Sequence, residues 1–388
     1  MSVNTVNSMY TLVRRKLREI NTLNRKHGGS IINKQEQLPL EAFGYQPFFA
    51  NQRKENYDIG RVALEHTHLY RIYSEDGEWL GELSGKYRYE ASVRDDYPAV
   101  GDWVWMKKLP DERKAIIHGV YARKSKFSRK VAGQTTEEQI VATNVDRVFL
   151  VMALNRDFNV RRLERYLLTA YESGSTPEIV LTKKDLCEDS DAEAKRSEVE
   201  SIAFGVPIYC VNSLADGGTE DIVRTLKQGE TIALLGSSGA GKSTLLNSLY
   251  GEQRQKTGDI REGDDRGKHT TTHRELVVLP NGALIIDTPG MRELHLWEGS
   301  ASMDMAFQDV EALAASCRFA DCGHHNEPGC AIQAALADGQ LDPERFASFR
   351  KLQKELAYME RKADAAAARA EKDRWKKIHK EMRGKGHR

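Results

Sequence analysis

Gly236-Ser237-Ser238-Gly239-Ala240-Gly241-Lys242-Ser243 has the spacing of a phosphate loop. Its glycines let backbone N–H groups converge on the oxygens of a polyphosphate. Lys242 is then placed to reach the terminal phosphates and to act in catalysis, and the Ser243 hydroxyl can ligate magnesium. The pattern follows an apolar strand, Thr231 to Leu235, and opens a helix near Thr244, which is the setting it requires. A second anchor, Asp287-Thr288-Pro289-Gly290, follows the apolar strand Ala283 to Ile286. There an aspartate can hold magnesium through water, and the Gly290 N–H can meet a γ-phosphate. Taken alone these four residues would be an ordinary turn.

The base is read by Thr182-Lys183-Lys184-Asp185, again at the end of an apolar run. Guanine offers adjacent N–H donors to a carboxylate, whereas adenine offers an acceptor at the corresponding position, so Asp185 selects GTP over ATP. Lys183 would lie along the base. One strand later comes Ile208 to Ser213, where a backbone N–H can meet the guanine oxygen. Two departures predict weaker contacts to the guanine edge: Thr182 stands where asparagine is usual, and Asn212-Ser213-Leu214 where Ser-Ala is usual. The order is also unusual. Base reading precedes the phosphate loop, the reverse of an ordinary GTPase, which predicts a circularly permuted domain.

Between phosphate loop and Asp287 lies Gly267-Lys268-His269-Thr270-Thr271-Thr272. A threonine here can complete the magnesium shell and sense the γ-phosphate, as in a switch segment. Spacing does not choose among the three, and Thr271 stands for them. Met291 follows the Asp-Thr-Pro-Gly turn, where many GTPases carry a glutamine that orients water. An apolar side chain cannot do that, so His269 becomes the candidate on chemical grounds. The ordinary alternative is a solvated polar loop.

Cys317, Cys322, His324 and Cys330 form a third constellation within a glycine- and proline-containing loop. Three thiolates and one imidazole suit a closed tetrahedral structural zinc site. His325 is the adjacent alternative ligand. Five cysteines, an odd number with three close together, argue against a disulfide framework.

The elements that must position these residues follow from periodicity. Residues from about Val141 to Leu294 alternate near-continuous apolar strands, such as Arg147 to Met152, with helix-length segments such as Val160 to Tyr171. That is the pattern of a doubly wound α/β sheet covered on both faces. Residues 57–129 instead show short alternating segments, predicting a five-stranded OB-fold barrel. Its Tyr70, Trp103 and Trp105 are either a stacking platform for nucleic acid or barrel filling. Pro343 to Ala366 is helix-forming, and the segment from Arg369 to Arg388 is basic, a solvated tail or an RNA contact. The 388 residues carry 58 Lys+Arg against 57 Asp+Glu, so any nucleic-acid surface must come from local clustering. No apolar run approaches the ~20 residues of a membrane span, and the N-terminus does not read as a secretory signal, so a cytoplasmic protein is expected.

In the order Thr182–Asp185, Ser213, Gly236–Thr244, Gly267–Thr272 and Asp287–Gly290, with its flanking domains, the chain resembles the RsgA (YjeQ) family of circularly permuted GTPases. The resemblance runs from about Leu38 to the carboxyl end. It leaves residues 1–37, whose composition reads as an N-terminal extension, unexplained, and implies an OB-fold barrel with its lead-in over 38–130, the permuted GTPase domain over 138–300 and a zinc-binding helical domain with a basic tail over 301–388. It also implies GTP or GDP with magnesium, one structural zinc with the same ligand spacing, and the water-positioning role for His269. The implied partner is the small ribosomal subunit with its rRNA. The expected function is late maturation of that subunit by a monomer that binds it in the GTP form and is released on subunit-stimulated hydrolysis. The alternatives are a nucleotide-gated RNA-binding module with incidental hydrolysis, and a P-loop ATPase or kinase, against which Asp185 argues.

Overall fold

The computed structural model describes residues 38–66, 69–91, 93–130, 138–251, 274–287, 300–325, 327–359 and 361. The extension 1–37, the switch segment with His269, Thr270, Thr271 and Thr272, the turn Thr288 to Gly290, Met291 and the basic tail from Arg369 lie outside the described residues.

Five strands close the barrel: β1 (Asp58–His66), β2 (Leu69–Ser74), β3 (Gly77–Leu83), β4 (Trp103–Leu109) and β5 (Lys114–Val120). They pair in the order β1-β2-β3-β5-β4, and β4 returns to β1. Only β3 and β5 run parallel, so this is the five-stranded Greek-key arrangement of an OB-fold. Alternation along the strands turns Val62, Tyr70, Ile72, Trp79, Val104, Met106 and Ile117 inward.

The aromatic side chains divide by location. Tyr70 fills the barrel. Trp103 is fully buried but outside the barrel, between Tyr45, Phe49 and the Arg61 guanidinium. Neither is available to stack on a base, which corrects the stacking alternative for both. Trp105 remains half-buried, with Lys54 over its ring at 5.5 Å.

The lead-in, with a 3-10 turn Leu40–Phe43 and the short helix α1 (Pro47–Ala50), wedges Leu40, Phe43 and Phe49 between barrel and central sheet. Arg61 fastens this junction. It is 1 % exposed and donates to the carbonyls of Gly101 at 3.2 Å, Asn144 at 3.2 Å and Phe43. Burial pushes its pKa down to about 10, partly offset by Asp146 and Asp102, and it stays charged at neutral pH. At Gly101, φ is +98° and a Cβ would sit 2.2 Å from the Thr143 carbonyl oxygen, so the barrel and the chain at residue 143 approach more closely than any other residue permits.

After α2 (Gly85–Glu90) within the barrel, the chain forms an antiparallel pair, β6 (Lys126–Lys130) with β7 (Glu138–Thr143). The α/β unit then runs β8 (Arg147–Ala153), α3 (Val160–Ser173), β9 (Thr176–Thr182), α4 (Asp189–Glu200), β10 (Ile208–Cys210), α5 (Glu220–Thr225), β11 (Thr231–Leu235), α6 (Lys242–Tyr250), β12 (Glu275–Val278) and β13 (Leu284–Asp287). Its order is β10-β9-β8-β11-β13-β12, parallel except for β12. Every residue of β8 is buried because helices cover both faces. β12 also pairs with barrel strand β1 at Leu64 and Glu275, joining both units into one eleven-stranded sheet, reinforced by Arg71 and Glu275 at 2.8 Å.

Helix α3 forms for readable reasons. Asn159 caps it, its side chain accepting from the Arg162 N–H at 2.8 Å, and Gly174 in the left-handed region ends it. Val160, Leu163, Leu167 and Ala170 recur at helical spacing and face the sheet. Leu168 points the other way, into the core of the C-terminal block. That block contains α7 (Ser300–Ala306), α8 (Gln308–Ala315), α9 (Ala331–Ala337) and a helical stretch over 343–359. Phe307, Val310, Ile332, Phe349 and Leu352 form its core.

Candidate nucleotide site and metal cluster

Strands β8, β9, β10, β11 and β13 end along one edge of the sheet, where ligands bind in doubly wound folds. The phosphate loop leaves β11 there. At Gly236 a Cβ would lie 2.4 Å from the Val151 carbonyl oxygen, so only glycine lets the loop turn against β8. Gly239 and Gly241 have φ of +75° and +89°, and the loop closes on the N-terminus of α6, whose first N–H groups lack helical partners. The Lys242 ammonium donates to the carbonyls of Gly236 at 2.7 Å and Ser237 at 2.6 Å. Ser243 and Thr244 occupy the first turn of α6. Asp287 ends β13; since Ala233 pairs with Ile286, it comes level with Leu234, just short of the loop.

The candidate base-reading tetrad, Thr182 to Asp185, follows β9. Thr182, 1 % exposed, donates from Oγ1 to the Ala240 carbonyl at 2.6 Å. Its hydroxyl therefore ties the end of β9 to the phosphate loop. Lys183 takes a left-handed φ of 59°, an uncommon conformation for a non-glycine residue, and turns the chain so that Lys184 and Asp185 are exposed. Lys184 lies 3.4 Å from Asp189. Beyond β10, the Ser213 Oγ is buried without a hydrogen-bond partner. Buried polar atoms in folded proteins are nearly always partnered, so an orphan here fits a site that takes a hydrogen-bonding ligand. Tetrad, Ser213 and phosphate loop thus share one sheet edge. His269, Thr271 and Gly290 lie outside the described residues.

The sequence offered no reason to single out Asp157. It lies in the loop after β8 on the same edge, and its Oδ2 accepts from Ser237 Oγ at 2.7 Å. Burial opposes its ionisation, but the Ser237 hydroxyl and Arg162 outweigh that and hold its pKa below the usual aspartate value. The only signal was the polar run after an apolar strand, Asn155 to Asn159.

The four candidate metal ligands converge. The Cys317, Cys322, His324 and Cys330 ligand atoms all lie within 4.8 Å of one another. Tetrahedral zinc, with bonds of about 2.3 Å to sulfur and about 2.05 Å to nitrogen, sets sulfurs about 3.8 Å apart and sulfur and nitrogen about 3.6 Å apart. Cys317 and Cys330 sulfurs are 3.9 Å apart, and each is 3.6 Å from His324 Nδ1. The donor set fits zinc. Burial, then Arg350, lowers the His324 pKa, favouring the neutral form that metals bind. His325 faces elsewhere, its Nε2 3.1 Å from Arg350.

A family model described as RsgA GTPase matches residues 120–297. A small ribosomal subunit biogenesis GTPase RsgA from Opitutus terrae is 46 % identical over 361 residues, covering 90 % of this chain and 98 % of the relative. The chain belongs to the RsgA GTPase family. It is accordingly a GTP-hydrolysing enzyme. A second RsgA protein, from Oceanobacillus iheyensis, is 46 % identical over 340 residues, with 86 % of this chain and 96 % of the relative covered. Among solved structures, YjeQ from Thermotoga maritima aligns with a TM-score of 0.58 and 26 % identity, over 78 % of this chain and 99 % of its own. YloQ, a circularly permuted GTPase, aligns at 0.57 and 23 % identity, over 79 % and 98 %. The RsgA fold class is therefore that expected: a circularly permuted GTPase domain, an OB-type barrel before it and a helical block with a Cys3His cluster after it. An ABC transporter model also matches residues 219–378, a range that includes the phosphate loop, a pattern many nucleotide-binding families share.

Proposed function

We propose that the chain couples GTP hydrolysis to late maturation of the small ribosomal subunit. It docks through rRNA contacts in the GTP form and leaves when the subunit stimulates hydrolysis. One observation carries the nucleotide part: Thr182 is bonded to Ala240, and the unpartnered Ser213 Oγ lies on the same sheet edge. Relatives named as small ribosomal subunit biogenesis GTPases support the partner.

In this proposal Asp185 accepts the guanine donors, Lys183 lies along the base, Lys184 flanks it, and the Ser213 segment meets the guanine oxygen. Residues Gly236, Ser237, Ser238, Gly239, Ala240, Gly241, Lys242, Ser243 and Thr244 receive the phosphates, with Thr182 bracing them. Ser243 and Thr271 hold magnesium directly and Asp287 through water; the metal, when bound, neutralises charge on the β- and γ-phosphates. The Gly290 N–H meets the γ-phosphate and His269 orients the attacking water. Cys317, Cys322, His324 and Cys330 hold one structural zinc, and four protein ligands leave no open position for chemistry.

The working units are an extension over 1–37, the barrel over 38–130, the GTPase domain over 138–300 and the zinc-bearing unit over 301–388. Barrel, zinc unit and basic tail contact rRNA, and the chain acts as a cytoplasmic monomer. Among the described residues no helix is long and apolar enough to cross a membrane.

Phosphate release, measured from GTP and ATP with small or large subunits, tests the proposal. Small subunits should accelerate GTP hydrolysis, whereas large subunits and ATP should have little effect. Unstimulated hydrolysis overturns it, and GTP-gated subunit binding without stimulation favours the nucleotide-gated RNA-binding module instead.

A further inference from the structure

Asp157 joins two parts of the molecule that the sequence motifs treat separately. Its Oδ2 accepts a hydrogen bond from the Ser237 hydroxyl at 2.7 Å, and the Ser237 carbonyl in turn accepts from Lys242 at 2.6 Å. On its other side Asp157 is gripped by Arg162 in the first turn of α3. The guanidinium lies 3.0 Å from Oδ1 and also donates to the Asp157 carbonyl. Capping α3 does not explain this arrangement, since Asn159 already caps it. A carboxylate that the helix does not need therefore reaches the phosphate loop while tied to the helix.

The opposite side of α3 carries the C-terminal block. Glu164 meets Arg345 at 2.9 Å, with side chains 0 % and 3 % exposed, and Arg345 continues to Asp309 at 2.7 Å. Arg165 grips Glu355 through two bonds of 2.8 and 2.6 Å. Leu168 is buried in the block's core. From Val160 to Leu168 is only about 12 Å of helix at 1.5 Å per residue, a stretch too short to bend much. Phosphate loop and block thus hold two sides of one rigid element.

We propose that Asp157 is a positioning residue through which nucleotide on the phosphate loop and docking of the C-terminal block on α3 are coupled. The proposal rests on the phosphate-loop assignment above. A loop that shifts to receive phosphates must carry Ser237, and Ser237 can keep its bond only if Asp157, Arg162 and the start of α3 follow. The face bearing Glu164, Arg165 and Leu168 then moves with it.

The test uses the full chain. GDP affinity is measured by fluorescent-nucleotide titration, and amide hydrogen exchange over 343–359 is compared with and without saturating GDP. In the unmodified chain GDP should slow exchange over 343–359. Asp157→Ala and Ser237→Ala should each weaken GDP binding about fivefold, with the double variant no worse than either alone. Each should also abolish the slowing at saturation, and Asp157→Asn, which keeps an acceptor for Ser237, should restore most of the affinity. Both sites are partly exposed, so each variant should fold. Additive losses, or slowing that survives in Asp157→Ala, overturn the proposal. If the unmodified chain binds GDP but 343–359 does not respond, only the coupling fails; if it binds no GDP, the phosphate-loop assignment fails too.

Discussion

Thr182 takes the asparagine position of the base-reading tetrad, and its hydroxyl proton goes to the Ala240 carbonyl 58 residues away. What it contributes is a brace between two loops. Thr182→Val keeps the volume and removes the donor, leaving a buried carbonyl unpaired at a cost of about 1–3 kcal/mol. GTP and GDP affinities should fall together by about tenfold, as read by fluorescent-nucleotide titration; unchanged affinities would make the bond incidental. The phosphate loop and cysteine cluster were legible because the residues that act together lie close in sequence. Thr182's acceptor was not legible, because a backbone carbonyl carries no residue type. Arg61 shows the same limit more sharply: its acceptors are three backbone carbonyls from distant segments, and nothing in a string of letters marks such a cation as buried.

Among the elements, α3 serves two cores at once. Leu168 fills the block's core while Leu163 and Leu167 face the sheet. Leu168→Ala should destabilise the docked block by about 2–5 kcal/mol, the range for truncating a buried leucine. Urea unfolding followed by a probe in the block should show an earlier midpoint, while nucleotide binding survives at low urea; an unmoved midpoint would mean the block does not depend on this contact. The long apolar strands and α3 itself were visible from periodicity. β12 was not, because four residues carry too little pattern and its pairing with both β13 and β1 is non-local. Trp103 fits neither alternative, platform or barrel filling, for a related reason: it leaves the barrel interior, and Tyr45 and Phe49, distant in sequence, cover it from outside.

At the scale of the whole molecule, the block with the Cys3His cluster and the nucleotide-binding sheet have separate cores joined through α3. Elemental analysis of the purified chain should find one zinc, and Cys330→Ser, which removes a buried ligand, should lose it. Heating that variant should melt the block ahead of the sheet, whereas a single unchanged transition would refute a structural role for the metal. Arg61 has a further consequence, for the order in which the chain can be made. Synthesis delivers the barrel strands first, and parts of a growing chain generally begin to fold as they emerge. Yet one acceptor of the Arg61 guanidinium is the Asn144 carbonyl, 83 residues downstream. Until that residue arrives the cation cannot be fully sealed from water without leaving a proton unpartnered, so the junction on the barrel's flank has to wait for the domain the barrel precedes.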